Sequence, residues 1–265
     1  MKNIAIYCVN YNSYEYLHNY LASIDRAMKP VVADVSLTVH VIDNTTPPLS
    51  IEYSSYSFTL KTLSTNENKG YFGAIKYAME TYSPNEFDYC IISNVDILLS
   101  DDFFVKLNTQ ATGTDIGWIA PQIYSNIEQR DRNPKILNRY AKRKLEILRT
   151  FFKFPILYNI YTHTAYKRKK LQHHKAGEIY AGHGSMIILT KNYFQQCGII
   201  DYPVFLFCEE IYIAELCRKS NLKVIYNPDI KVTDAEHAST SAFRNSLYCR
   251  YNYEAVSYII KNFYQ

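Results

Sequence analysis

The chain has 265 residues, 48% of them apolar and 20% charged, enough hydrophobic material for a large core and too much for a disordered polypeptide. The formal net charge of +4 hides a division: fourteen Lys/Arg stand against two acidic residues from Arg130 to Lys175, and the remainder carries fifteen basic and twenty-three acidic residues. No stretch approaches the roughly 20 apolar residues of a membrane span, and Ile4–Val9 is too short for a secretory signal, so a cytoplasmic protein is expected.

Ile4-Ala5-Ile6-Tyr7-Cys8-Val9 is a continuous apolar run, as in a parallel strand buried on both faces. Asn10-Tyr11-Asn12-Ser13 is turn chemistry, with Ser13 placed to cap a helix to about Met28. Strands are expected at Leu37–Ile42, ending in Asp43-Asn44, and at Phe58–Leu63, ending near Asn66. Gly70–Tyr82 suits a helix and Asp88–Ser93 a fourth strand. Asp101-Asp102 can cap a helix through Leu107, and Ile116–Ala120 is a strand closed by Pro121. The basic segment shows no clear period of two. Gly184–Leu189 is apolar again, and Asn192–Cys197 looks helical and ends at Gly198. Glu209–Lys219 has helical spacing. Lys223–Tyr226 and Ile230–Val232 read as short strands flanking Asn227-Pro228-Asp229, and Ala242–Phe263 as a tyrosine-rich C-terminal helix. This alternation predicts an α/β fold with a mostly parallel sheet. With no repeat and no Gly/Ser linker, a single domain over residues 1–265 is expected. The six cysteines form no Cys-x-x-Cys pair and read as reduced, buried residues.

Asp96 stands out. Tyr89-Cys90-Ile91-Ile92 leads through Ser93-Asn94-Val95 to its carboxylate, and Ile97-Leu98-Leu99 follows. A carboxylate at the end of a buried strand is costly unless a cation pairs it, and ligand crevices of open α/β sheets lie at those ends. Asp96 is therefore a candidate metal or phosphate–metal ligand, against the commoner role of a cap or turn residue.

The strand-end polar clusters continue with Asn66-Glu67-Asn68-Lys69-Gly70, Gly182-His183-Gly184-Ser185, Glu209-Glu210, Asn227-Pro228-Asp229 and His237-Ala238-Ser239-Thr240. In this order, from about residue 3 to 240, the chain resembles the family 2 glycosyltransferases of the GT-A fold, the rhamnosyltransferase-like branch in particular. The resemblance implies a Rossmann-like, mostly parallel central sheet flanked by helices, with a basic insert and a C-terminal helix. Residues 1–120 would form the nucleotide-sugar half and 121–265 the acceptor half.

The resemblance also implies roles. Asn10, Tyr11 and Asn12 would meet the donor nucleotide, as would Asn68 and Gly70 of the Asn-x-Gly that opens a helix. Asp43 would hold the base or ribose, since a carboxylate accepts from a uracil or thymine N–H or a ribose hydroxyl; a turn before Thr45-Thr46-Pro47-Pro48 is its other reading. Asn94-Val95-Asp96 matches the Asp-x-Asp-type motif with Asn first, placing Asn94 at the donor and Asp96 on Mg²⁺ or Mn²⁺. Glu209-Glu210 matches the acidic pair that supplies the base, with Glu210 in the base's place and Glu209 the alternate. Gly182, His183 and Gly184 match the acceptor site. Where the family often has a further histidine ligand, Asp234 stands here with His237 three residues on, and His237 is ranked slightly ahead.

The implied reaction is inverting, metal-dependent transfer of a hexose or deoxyhexose, rhamnose among them, from a UDP or dTDP sugar to a surface-polysaccharide or lipid-linked glycan acceptor. A sugar nucleotidyltransferase would show a Gly-rich basic loop after the first strand, which Asn10-Tyr11-Asn12-Ser13 is not. A non-catalytic nucleotide- or RNA-binding protein is the other alternative. Arg130–Lys175 interleaves Lys/Arg with Phe151, Phe152, Phe154, Tyr158, Tyr161 and Tyr166, which suits an anionic membrane surface. Peripheral attachment at the inner face of the cell membrane is thus one expectation and a solvated loop the other; nucleic acid is not the expected partner.

Overall fold

The structure is a computed structural model that describes residues 1–48, 55–110, 113–164, 174–234 and 245–265. In chain order the described elements are β1 (Lys2–Asn10), α1 (Tyr14–Met28), β2 (Val35–Asp43), β3 (Thr59–Ser64), α2 (Tyr71–Thr81), β4 (Tyr89–Asn94), β5 (Ile97–Leu99), α3 (Phe103–Thr109), β6 (Ile116–Ser125), β7 (Arg130–Asp131), α4 (Lys142–Lys153), α5 (Pro155–Thr164), β8 (Gly177–Ile179), β9 (Met186–Thr190), α6 (Lys191–Cys197), α7 (Glu209–Lys219), β10 (Lys223–Asp234) and α8 (Asn245–Phe263).

The strands make one mixed sheet in the order β3-β2-β1-β4-β9-β6-β10-β5, with β7 paired to β6 and β8 to β10. β3, β2, β1 and β4 run parallel, and β9 is antiparallel to both β4 and β6. β1 lies centrally because both of its faces are apolar. Ile4, Ile6 and Cys8 point to one side, Ala5 and Tyr7 to the other, and all five are fully buried. On the first side α1 and α3 close the layer with Leu17, Tyr20, Leu21, Ile24, Phe103 and Phe104. On the second side lie α2, α4, α6, α7 and α8, with Phe72, Leu145, Phe194, Ile213 and Ile259 among the contacts. Each such side chain contributes about 1.5–3 kcal/mol relative to exposure.

Two expectations are corrected by one feature. β6 does not close at Pro121 but runs on to Ser125, and the two short strands around Asn227-Pro228-Asp229 are a single β10. The β10 register shifts between Asn227 and Lys231, opposite Pro121, so a proline without an N–H is accommodated where the ladder is already irregular. In the basic segment, α4 and α5 are helices packed on α8, because Leu145 and Phe152 lie seven residues apart on one buried face. Ser13 precedes α1 but its hydroxyl donates to Tyr11 O instead of capping the helix. The expected start of the last helix at Ala242 lies outside the described residues. No helix among the described residues is long and apolar enough to cross a membrane, and all six cysteines are free.

Candidate functional site

β1, β2 and β4 deliver their carboxyl ends together: Asn10 pairs in register with Asp43, and Val9 with Asn94. The chain winds outward from β1 to β2 and β3, then returns to β4 on the other side of β1, the kind of switch point at which open α/β sheets place their ligand crevice. Asp43 is fixed there. Its Oδ1 accepts from Asn10 Nδ2 (3.1 Å) and Thr45 N (3.1 Å), and its Oδ2 from the Tyr14 hydroxyl (2.8 Å). The turn reading of Asp43 is therefore correct as local structure, and Asn10 and Tyr14 orient the carboxylate besides. Asn12 is left-handed (φ 53°) with its N–H on Thr45 Oγ1, and Tyr11 is exposed.

The next loop is built on Asn44. Its Nδ2 donates to Gly70 O (2.8 Å), and Asn68 Oδ1 accepts from Gly70 N (3.0 Å). Gly70 has φ 74°, and a Cβ there would collide with the carbonyl of Phe205. That close approach lets Tyr71 N donate to Phe205 O (3.2 Å), joining this loop to the one that precedes α7.

Asp96 lies in the tight link from β4 to β5. β5 pairs antiparallel with β10, which sets Asp234 opposite Ile97. Asp96 Oδ1 is buried without a hydrogen-bond partner. Burial first, and then Asp234, push its carboxyl up to about 6, against hydrogen bonds from its own backbone and Asn94 and the charge of Arg132. Asp234 is itself buried and receives Arg132 Nη1 at 2.7 Å. Asn94 N donates to Ser185 O (3.0 Å), which ties this corner to the 182–185 loop. His237 lies outside the described residues. Among the described residues no three His, Cys, Asp or Glu side chains converge as a metal cluster. The orphaned oxygen of Asp96, a hard donor, would nevertheless suit a divalent cation.

The paired glutamates open α7 and differ. Glu209 is buried, and its Oε1 accepts from Phe207 N (2.9 Å). Burial and then the neighbouring Glu210 push its carboxyl up to about 8. Glu210 is half-buried and faces Gly184, where a Cβ would stand 3.8 Å from its Oε2. Phe207 (φ 76°) and Cys208 (φ 62°) are both left-handed, a strained entry that sets the direction of the pair. Tyr71 spans both sides: its hydroxyl donates to Gly184 O (3.1 Å), and after burial the charges of Glu209, Tyr20 and Asp96 raise its pKa further. Gly182 answers a packing need, since a Cβ would strike Ala120 and Trp118. The His183 ring is engaged through Nδ1 with Ser185 Oγ (2.8 Å), and the His183 backbone N–H donates to Asn133 Oδ1 (2.7 Å).

Sequence reasoning missed Tyr14, Tyr71, Arg132 and Asn133. The tyrosines had no signal beyond helical spacing, and Arg132 and Asn133 were submerged in the basic run.

No family model matches the chain, and neither does any curated protein. Solved structures match in fold. S. aureus TarS is 12% identical with a TM-score of 0.57, covering 99% of this chain and 40% of that one. GalNAc-T7 with UDP, GalNAc and Mn²⁺ is 11% identical with a TM-score of 0.57, covering 90% and 44%. The mannosyltransferase PcManGT from Pyrobaculum calidifontis, with GDP-Man and Mn²⁺, is 13% identical with a TM-score of 0.54, covering 90% and 59%. The chain thus spans about two-fifths to three-fifths of the length of these structures, and the fold it shares with them is GT-A-like.

Proposed function

We propose that the chain transfers a sugar from a nucleoside diphosphate to an acceptor hydroxyl. The observation that carries this reading is the gathering at one sheet end of an oriented carboxylate (Asp43), a buried carboxylate oxygen without a partner (Asp96) and a glutamate beside a bare glycine (Glu210 and Gly184). The GT-A-like fold supports it, since two structures of that fold were solved with UDP or GDP-Man and Mn²⁺.

Asp43 accepts from the nucleobase or ribose, with Asn10, Asn12, Asn68 and Gly70 lining the same loops. Asp96 is the residue that would hold Mg²⁺ or Mn²⁺; Asp234 is already paired with Arg132, which leaves His237 as the further ligand in this reading. The cation, when bound, supplies Lewis-acid neutralisation of the departing diphosphate. Glu210 accepts the acceptor's hydroxyl proton as that oxygen attacks the anomeric carbon opposite the leaving group, which inverts the centre without a covalent enzyme intermediate. Glu209, turned into the fold on Phe207 N, positions the turn that presents Glu210. Residues 1–120 form the donor half and 121–265 the acceptor half of one domain. A UDP or dTDP hexose or deoxyhexose, rhamnose included, is the donor, and a surface or lipid-linked glycan is the acceptor.

The test is a thermal-shift screen of nucleoside diphosphates and nucleotide sugars, with and without Mn²⁺, on the wild type and Asp96→Ala. A ligand at 100 times its Kd adds roughly 2.7 kcal/mol. A Mn²⁺-dependent shift with a nucleotide, lost in the variant, is expected. A folded wild type that no nucleotide stabilises would overturn the reading.

A further inference from the structure

Apolar surface is concentrated on one part of the molecule. Among the described residues twelve large hydrophobic side chains are exposed, and five of them lie between residues 147 and 160: Ile147, Phe154, Ile156, Leu157 and Ile160. Ile156 is 76% exposed, at the start of α5. An open groove along α4 adds Leu148 and Phe151, rimmed by Arg143 and Lys144. Lys142, Arg143, Lys144 and Lys153 are exposed on the same helix, and Glu146 is the one acidic residue from 142 to 160.

We propose that α4 and α5 form a surface that docks on an anionic lipid bilayer, with the aliphatic tips at the headgroup–acyl boundary and the Lys/Arg side chains on lipid phosphates. An amphipathic helix with an apolar stripe and a cationic flank is the chemistry such a surface recognises. A second copy of the chain would bring these like charges together. Single-stranded nucleic acid needs outward ring faces for stacking. Here Phe152 and Tyr158 are turned inward on Tyr248 of α8, with ring centroids 6.2 and 5.7 Å away, and four of the five exposed tips are aliphatic or follow the proline-led start of α5.

The surface is coupled to the site. Tyr248 packs in turn on Phe207 (5.1 Å), two residues before Glu209. One aromatic layer therefore separates the docking helices from the turn that presents Glu210, and a lipid-borne acceptor would reach that turn from the bilayer side. This last point rests on the transfer reaction proposed above; the docking itself does not.

The experiment is flotation of the full chain with vesicles of phosphatidylcholine alone or mixed with phosphatidylglycerol, without any nucleotide sugar. Its outcome is thus separate from that of the thermal-shift screen. Flotation is expected with the anionic vesicles only and should weaken as salt rises. Lys142→Glu and Arg143→Glu should each weaken it by roughly fivefold or more. The pair Ile156→Asp and Leu157→Asp, at exposed positions, should abolish it with the circular dichroism spectrum unchanged. Failure to float with anionic vesicles overturns the proposal, as does flotation that the Ile156/Leu157 pair leaves intact. A charge-dependent gel shift on single-stranded RNA without flotation assigns the surface to nucleic acid, and a dimer in solution without flotation assigns it to a second copy; both overturn it.

Discussion

Glu209 and Glu210 are chemically identical neighbours in different environments, the first buried and the second half-buried. Folded Glu209 titrates at about 8, against 4.5 for a free side chain. Between those values the folded protein keeps a proton that the unfolded chain has released, so stability falls as pH rises through that window. The slope from this group approaches about 1.4 kcal/mol per pH unit. Thermal unfolding of Glu209→Gln, which keeps an acceptor for Phe207 N, should lose that slope; a wild-type-minus-variant difference that does not change with pH would show Glu209 ionised in the fold. Glu210→Gln tests the proposed chemistry. We expect turnover to drop roughly 10²- to 10⁴-fold with donor affinity unchanged, measured by product formation and by calorimetric titration of the nucleotide sugar. Asp96 was legible in the sequence because a carboxylate ending an apolar run is anomalous. The difference in burial within the glutamate pair was not, because it depends on Phe207 and Cys208 adopting left-handed backbone, a conformation neither residue type favours.

At the scale of elements, Arg139 ties the basic segment to α7 and to the C-terminal helix. Arg139 reaches Glu215 of α7 through Nε–Oε1 (2.5 Å) and Nη2–Oε2 (3.2 Å), donates to Phe263 O (2.8 Å) and lies over the Tyr264 ring. Glu215 is fully buried and also receives Arg218 Nε (2.9 Å) and the Tyr180 hydroxyl (2.6 Å). Burial raises its pKa, but the bonds from Arg139, Tyr180 and Arg218 outweigh burial and leave it lowered. This contribution is therefore present above the ordinary glutamate range and is lost as pH falls through the folded value. Arg139→Ala strands part of a buried charge, and urea unfolding at neutral pH should show a loss of about 3–5 kcal/mol. Arg139→Lys should recover little of it, since a lysine cannot make the paired contact. A loss below about 1 kcal/mol would mean that Arg218 and the Tyr180 hydroxyl suffice to satisfy Glu215. None of this was visible in a run of charges: the sequence shows that Arg139 is basic, not that its partner lies in a helix seventy-six residues away.

At the scale of the molecule, the alternation of apolar runs and helical spacing was sufficient for an α/β sheet with strand-end polar clusters, because β1 and β4 are apolar on both faces. Strand direction was less legible. β9 enters antiparallel between β4 and β6, and an apolar run such as Met186–Leu189 reads the same in either direction. Pro121 was misread as an end because its tolerance depends on a register shift in a strand a hundred residues away.

The backbone contact between Tyr71 and Phe205 also has a kinetic meaning. The loop proposed to meet the donor ends at Gly70, and the turn proposed to present the base begins at Phe205; one hydrogen bond, from Tyr71 N to Phe205 O, joins them. If the proposed reaction holds, a nucleotide sugar seated against Gly70 should stiffen, through that bond, the turn that carries Glu210. Addition should therefore be ordered, nucleotide sugar before acceptor, and free nucleoside diphosphate should inhibit competitively against the donor but not against the acceptor. Product-inhibition patterns showing random addition would mean that the two loops move independently despite the contact.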